Sequence, residues 1–180
     1  AMNMVEHLAV DMKIPVGVFS FEMTQEELLI RMAYARSGVS ENQIRFNTIS
    51  QSGGQKLVAA TGDMTAALKS ARLIIDDRGG QTIAQVQSAA RRMVQRDHVQ
   101  LIVVDHMQLV RGSGRNQSLY ESVTDVANGC QAMAQELRIP VIVLSQLNRS
   151  AADSNDLPTL KHLRESGAIE ANANVVILLH

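Results

Sequence analysis

The chain has 180 residues, 46% hydrophobic and 19% charged, the composition of an ordinary globular domain with one core. No apolar stretch approaches the roughly 20 residues of a membrane span, no signal-peptide pattern opens the sequence, and one cysteine, Cys130, excludes an internal disulfide framework and fits a reducing compartment. The net charge of −1 requires any nucleic-acid contact to gather its positive charge locally, and 3% aromatics without Trp leave phosphates, not stacked bases, as the grip on a single strand.

The elements alternate between helix and strand. Residues 2–11 are predicted to end a helix already under way, with Met4, Val5, Leu8 and Ala9 on one face, so the chain is expected to be trimmed. Residues 16–21 read as a strand. Thr24 and Glu27 form a capping-box signature for a helix to about Arg36, which Ser37-Gly38 ends. A short helix is predicted over 40–46, a loop over 50–54 and a helix over 55–70. A strand follows at 72–76, a turn at 77–80 and a helix at 82–97. Leu101 to Asp105 is an apolar run of the kind found in central parallel strands. A polar loop at 112–118 precedes a long amphipathic helix, 119–137, which places Cys130 as a small buried hydrophobe. A buried strand is predicted at 141–145, a second polar loop at 149–158 and a last strand at 175–179. The fold class is therefore α/β, one domain over 1–180 with a mostly parallel sheet flanked by helices on both faces.

Ligands in such sheets bind beyond the carboxyl ends of the strands. Each predicted strand ends on polar residues: Glu22, then Asp76 and Asp77, Asp105, Ser145 and Gln146, and finally His180. Strands must end somewhere polar, so each residue alone is weak; the row together suits a phosphate-and-metal site. Asp105 follows four apolar residues in the Walker B arrangement, where a rigidly held carboxylate meets a magnesium-bound water. Glu22 is a candidate general base for an attacking water, and Gln146 a candidate sensor of the terminal phosphate. Asp76 and Asp77 are read as turn caps before metal ligands, Gln108 as a brace, and His106 and Met107 as packing.

Four ordered motifs carry a resemblance: Phe19-Ser20-Phe21-Glu22-Met23, Ile102 through Leu109, Ser145 through Arg149, and Arg164 through Glu170. Together they resemble the C-terminal ATPase domain of the DnaB-type hexameric replicative DNA helicases of bacteria and phages. The resemblance implies a RecA-like P-loop NTPase core and ATP- and Mg2+-dependent translocation along single-stranded DNA as a homo-hexamer. Primase and a helicase loader would be the partners and the bacterial cytoplasm the location, in a bacterium or for a phage or plasmid protein in its host. It implies that Glu22 is the catalytic glutamate, Asp105 the magnesium ligand, and Gln146 the link between the γ-phosphate and DNA. Arg115, Arg149, Arg164, Glu165 and Gly167 would touch DNA, glycine allowing close main-chain approach to a phosphate. Arg115 and Arg149 also read as an ordinary loop charge and a local ion pair.

The chain departs from that family at His106, where Tyr is usual, at Phe21, where Leu is usual, and at Asn172 and Asn174, which replace acids. No G-x-x-x-x-G-K-[ST] occurs; in the family it precedes the helix with which this chain begins, and the arginine finger is expected beyond its last residue. The isolated chain is thus expected to be inactive. Two other readings stand beside the helicase: another RecA-like ATPase, such as a recombinase or clock-type ring protein, and a non-catalytic DNA-binding or assembly module.

Overall fold

A computed structural model describes residues 1–114, 117–148, 157–160, 163 and 166–179. Its elements in chain order are α1 (Met2–Glu6), prolonged by a π-helical turn (His7–Asp11), β1 (Val16–Ser20), α2 (Gln25–Ser37), α3 (Glu41–Arg45) and α4 (Gln51–Lys69). Then follow β2 (Leu73–Asp76), α5 (Ile83–Asp97), β3 (Leu101–Asp105), a 3-10 turn (Met107–Leu109), α6 (Leu119–Leu137), β4 (Val141–Val143) and α7 (Ser166–Asn172).

The four strands are parallel in the order β2-β1-β3-β4. Both faces of the central pair are covered, which is why β1 and β3 read as near-continuous apolar runs. Side chains of a strand alternate between faces, and the two cores divide them accordingly. Val16, Val18, Leu101 and Val103 pack with Val5, Ala9, Leu28, Met32 and Met64 of α1, α2 and α4. Phe19, Ile102 and Val104 pack with Val86, Ala90, Val126, Cys130 and Met133 of α5 and α6. Burial in that second core pushes the Cys130 thiol up to about 12, so the residue is the inert hydrophobe its helical position predicts. No helix among the described residues is long and apolar enough to cross a membrane.

Local chemistry sets the helix ends. The capping box of Thr24 and Glu27 is present at α2, and Gly38 in the left-handed region ends that helix (φ 69°). Ser40 with Gln43, Thr82 with Gln85 and Ser118 with Glu121 form further boxes at α3, α5 and α6. One guanidinium joins the three helices of the first layer: Arg36 on α2 donates to Glu6 at 2.6 Å, Asp11 at 2.8 Å and Asp63 on α4 at 3.0 Å. Those acids make Arg36 a still weaker acid than a free arginine, and Arg36 with His7 holds Asp11 below the usual carboxylate range.

The structure corrects several expectations. Residues 50–54 are not a loop: Ser50 accepts from the Gly53 amide at 3.0 Å and starts α4 at once. The glycines cost helix propensity of about 1 kcal/mol each, and the cap with the packing of Ala60, Met64 and Ala67 outweighs it. Met4, expected on the buried face of the first helix, is exposed. β4 is an edge strand, half-buried and shorter than 141–145. Residues 175–179 are not a strand; they form no ladder with the sheet, and without one Val175, Ile177 and Leu179 lie 77–79% exposed.

The acids after β2 are structural. Asp77 accepts from the Gln25 amide at 2.9 Å, at the start of α2. Asp76, 8% exposed at its side chain, accepts from Arg78 Nη2 at 2.6 Å, Arg78 Nε at 2.9 Å and Gln81 Nε2 at 3.0 Å. Burial alone would raise the Asp76 carboxyl, but the bonds from Arg78 and then Gln81 hold it below its usual range.

Two outcomes follow from this packing. A Cβ on Gly129 of α6 would overlap Ile83 Cγ1 of α5, where Gln87 Nε2 also donates to the Gly129 carbonyl at 2.9 Å. Gly129→Val should therefore destabilise the chain by about 1–3 kcal/mol, read as a lower urea midpoint. The lowered Asp76 pKa gives stability that is present above about pH 3.9, its unfolded value, and lost as pH falls through the folded one. The midpoint gap between wild type and Asp76→Asn should accordingly be widest at pH 7 and shrink in acid; a constant gap would refute the linkage.

Candidate functional site

The strand order reverses between β1 and β3: the chain leaves β1 towards β2, returns through α5 to the other side, and continues to β4. Such a reversal opens a crevice at the carboxyl ends of the two strands, because their connections leave on opposite faces. The register pairs Ser20 with Asp105, so the residues after each strand meet at one level.

The turn from β1 to α2 carries Glu22, and its backbone is held at three places. The Phe21 amide donates to the Asp105 carbonyl at 2.9 Å, Ser20 Oγ donates to the Met23 carbonyl at 2.6 Å, and the Thr24 cap starts α2. The Glu22 side chain stands 64% exposed in the crevice, with Oε2 3.3 Å from His106 Nδ1. His106 itself is buried, 9% exposed at its side chain. Sequence reasoning assigned this histidine to packing, and its burial agrees; its contact with Glu22 follows from its place directly after Asp105, on the strand neighbouring β1.

Asp105 ends β3 half-buried, and among the described residues none hydrogen-bonds its carboxylate. Burial raises its pKa; the nearby His106 opposes that rise and the Glu22 charge adds to it. A desolvated carboxylate lacking donors suits a hard cation or the water such a cation carries. Among the described residues no three His, Cys, Asp or Glu side chains could ligate a metal together, so the donor set fits magnesium held through its own waters. The 180 residues contain no phosphate-cradling G-x-x-x-x-G-K-[ST].

Across β3 the edge continues to β4. Gln108 Nε2 donates to Ser145 Oγ at 2.8 Å, and its Oε1 accepts from the Gln146 amide at 3.4 Å. Gln108 is thus a brace, as expected, and it fixes the segment from which the exposed Gln146 projects. Glu22 and Asp105 adjoin at the reversal and Gln146 stands beside Gln108 further along the edge, whereas Asp76 and Asp77 turn to their own structural partners.

Of the residues expected to meet DNA, Gly167 lies exposed in the first turn of α7, and among the described residues a Cβ there would have only the Tyr120 hydroxyl nearby, at 4.0 Å. Arg115, Arg149, Arg164 and Glu165, and the strand-end His180, lie outside the described residues. The stem of the first polar loop is anchored on α6: the Gly112 amide donates to Ser122 Oγ at 2.9 Å and Gln117 Nε2 to Asp125 at 2.7 Å.

Comparison with known proteins places this geometry. Residues 1–180 match the family described as DnaB-like helicase C terminal domain. The chain is 32% identical to the replicative DNA helicase DnaB of Geobacillus stearothermophilus and 31% identical to the replicative DNA helicase DnaC of Bacillus subtilis strain 168, over its whole length. It spans 39% of the length of either relative. Against the replicative DNA helicase DnaB of Rickettsia bellii it is 34% identical, with 92% of this chain and 32% of that one aligned. Among solved structures it superposes on one described as an ATPase domain with a TM-score of 0.80 at 26% identity, covering 97% of this chain and 64% of that one. It superposes equally, at a TM-score of 0.80 and 26% identity, on a DnaB-like replicative helicase studied with its primase interactions, covering 96% and 43%. The parallel sheet between helical layers is the RecA-like arrangement, and the chain belongs to the DnaB-like helicase C-terminal domain family.

Proposed function

We propose that this chain is part of the ATPase motor of a replicative DNA helicase, one domain over residues 1–180 that works in a homo-hexamer moving along single-stranded DNA. The observation that carries the proposal is the meeting of Glu22 and Asp105 at the β1–β3 reversal, in a chain of this family. ATP is the fuel, and magnesium bound near Asp105 would offset the negative charge that develops on the transferring phosphoryl group.

The chain's own residues divide the remaining work. Glu22 orients a water for in-line attack on the γ-phosphorus and takes its proton as the bond to the leaving ADP breaks. Asp105, fixed by the buried β3, would hold the cation through a water. Gln146, on the segment braced by Gln108, reads the γ-phosphate and passes its presence to the residues that follow. Arg115 and Arg149 contact DNA phosphates, and Arg164, Glu165 and Gly167 touch the DNA backbone. Phosphate contacts carry no base information, so sequence preference is slight. Primase and a loader are the proposed protein partners, and the cytoplasm of a bacterium, or of a phage or plasmid host, the proposed location.

Two measurements test this. In the complete parent protein, single-stranded DNA should stimulate ATP hydrolysis, and Glu22→Gln should lower kcat by about 10²–10⁴-fold while nucleotide binding persists; undiminished turnover would remove Glu22 from its role. The 180 residues alone, lacking the phosphate cradle, should show no ATP hydrolysis above a protein-free control.

A further inference from the structure

We propose that His106 is a positioning residue for Glu22, its buried ring standing against one carboxylate oxygen so that the other faces the attacking water. The inference rests on the reading of Glu22 as the general base.

The two side chains differ in how they are held. The backbone of Glu22 is clamped by Phe21 and Ser20, yet its side chain is 64% exposed, and backbone clamping leaves the carboxylate torsions free. His106 has no such freedom. Its backbone opens the 3-10 turn, where the Met107 amide donates to the Leu144 carbonyl at 3.0 Å and the Leu109 amide to the His106 carbonyl at 3.1 Å. Its ring is buried, and Nδ1 lies 3.3 Å from Glu22 Oε2.

With its hydrogen on Nδ1 the ring attracts this oxygen, whereas a lone pair there would repel it. A buried ring held 3.3 Å from Oε2 leaves Oε1 for water, and a general base acts only within hydrogen-bond reach of the proton it takes.

The test uses the complete parent protein, with kcat and KM for DNA-stimulated ATP hydrolysis and Kd for a fluorescent non-hydrolysable ATP analogue. His106→Leu, similar in bulk but without a donor, should lower kcat about 10- to 100-fold and leave Kd within about twofold, the scale expected when a reacting group is misplaced. His106→Asn, whose amide nitrogen comes near the place of Nδ1, should keep kcat within about threefold of wild type. In the Glu22→Gln background, His106→Leu should change the residual rate by less than about twofold, because the coupled partner is already gone. Wild-type kcat in His106→Leu, equal losses in both backgrounds, or a Kd that rises in step with the loss of kcat would each overturn the proposal. Should His106→Leu fail to fold, His106→Asn against His106→Gln decides: Gln places its amide nearer the Nε2 position, so equal rates for the two would overturn it. If Glu22→Gln itself retains turnover, the general-base reading fails and this inference with it. If Glu22→Gln abolishes turnover while every His106 variant is unaffected, only the inference fails.

Discussion

The pairing of β1 with β3, from Val16 opposite Leu101 to Ser20 opposite Asp105, is the constraint on which the other features depend. Parallel strands need long crossovers, and here the crossovers from the two strands leave on opposite faces of the sheet. That wraps both strands in helices and makes them apolar on each side. It also brings their polar ends to one height, because the register runs unbroken to Asp105. A slip of one residue would invert every side chain of one strand and place Val104 or His106 where the carboxylate stands.

From that level edge a polar path runs across all four strands. Asp77, after β2, holds the start of α2; Glu22 precedes that helix and meets His106; Gln108, one turn later, holds Ser145 and the Gln146 amide after β4. Backbone bonds fix the frame of this path, and side chains complete it. Gln146 lies at its far end, tied through Gln108 to the short turn after β3.

How much of this is legible in the sequence depends on whether a residue's role is local. β1 and β3 are readable because burial on both faces leaves an uninterrupted apolar run, and the capping box at Thr24 because its partner Glu27 is three residues away. The start of α4 is misread because Gly53 and Gly54 signal a loop, while the Ser50 hydroxyl and the packing of Met64 decide otherwise. Residues 175–179 form an unbroken apolar run like that of a buried strand, yet a strand is a pairing and no neighbouring ladder among the described residues supports one. Asp105 and Glu22 are legible from strand ends alone. The meeting of His106 with Glu22 is not, because it depends on which strands adjoin, and the two side chains lie far apart along the chain. The roles of Arg115, Arg149, Arg164 and Glu165 came from the resemblance and remain proposals.

The joint at Arg36 has a consequence for ionic strength. One positive charge there faces three negative ones, from Glu6, Asp11 and Asp63, so the cluster is net acidic even when every bond is made. Dissolved salt screens the repulsion among the acids as well as their attraction to the guanidinium, and the two effects oppose each other. A lysine at this position would neutralise the same charge but present a point, not a planar fork with donors along three directions. The seam between α1, α2 and α4 is thus a matter of geometry more than of charge balance, and it tolerates changes in electrolyte better than changes in side-chain shape.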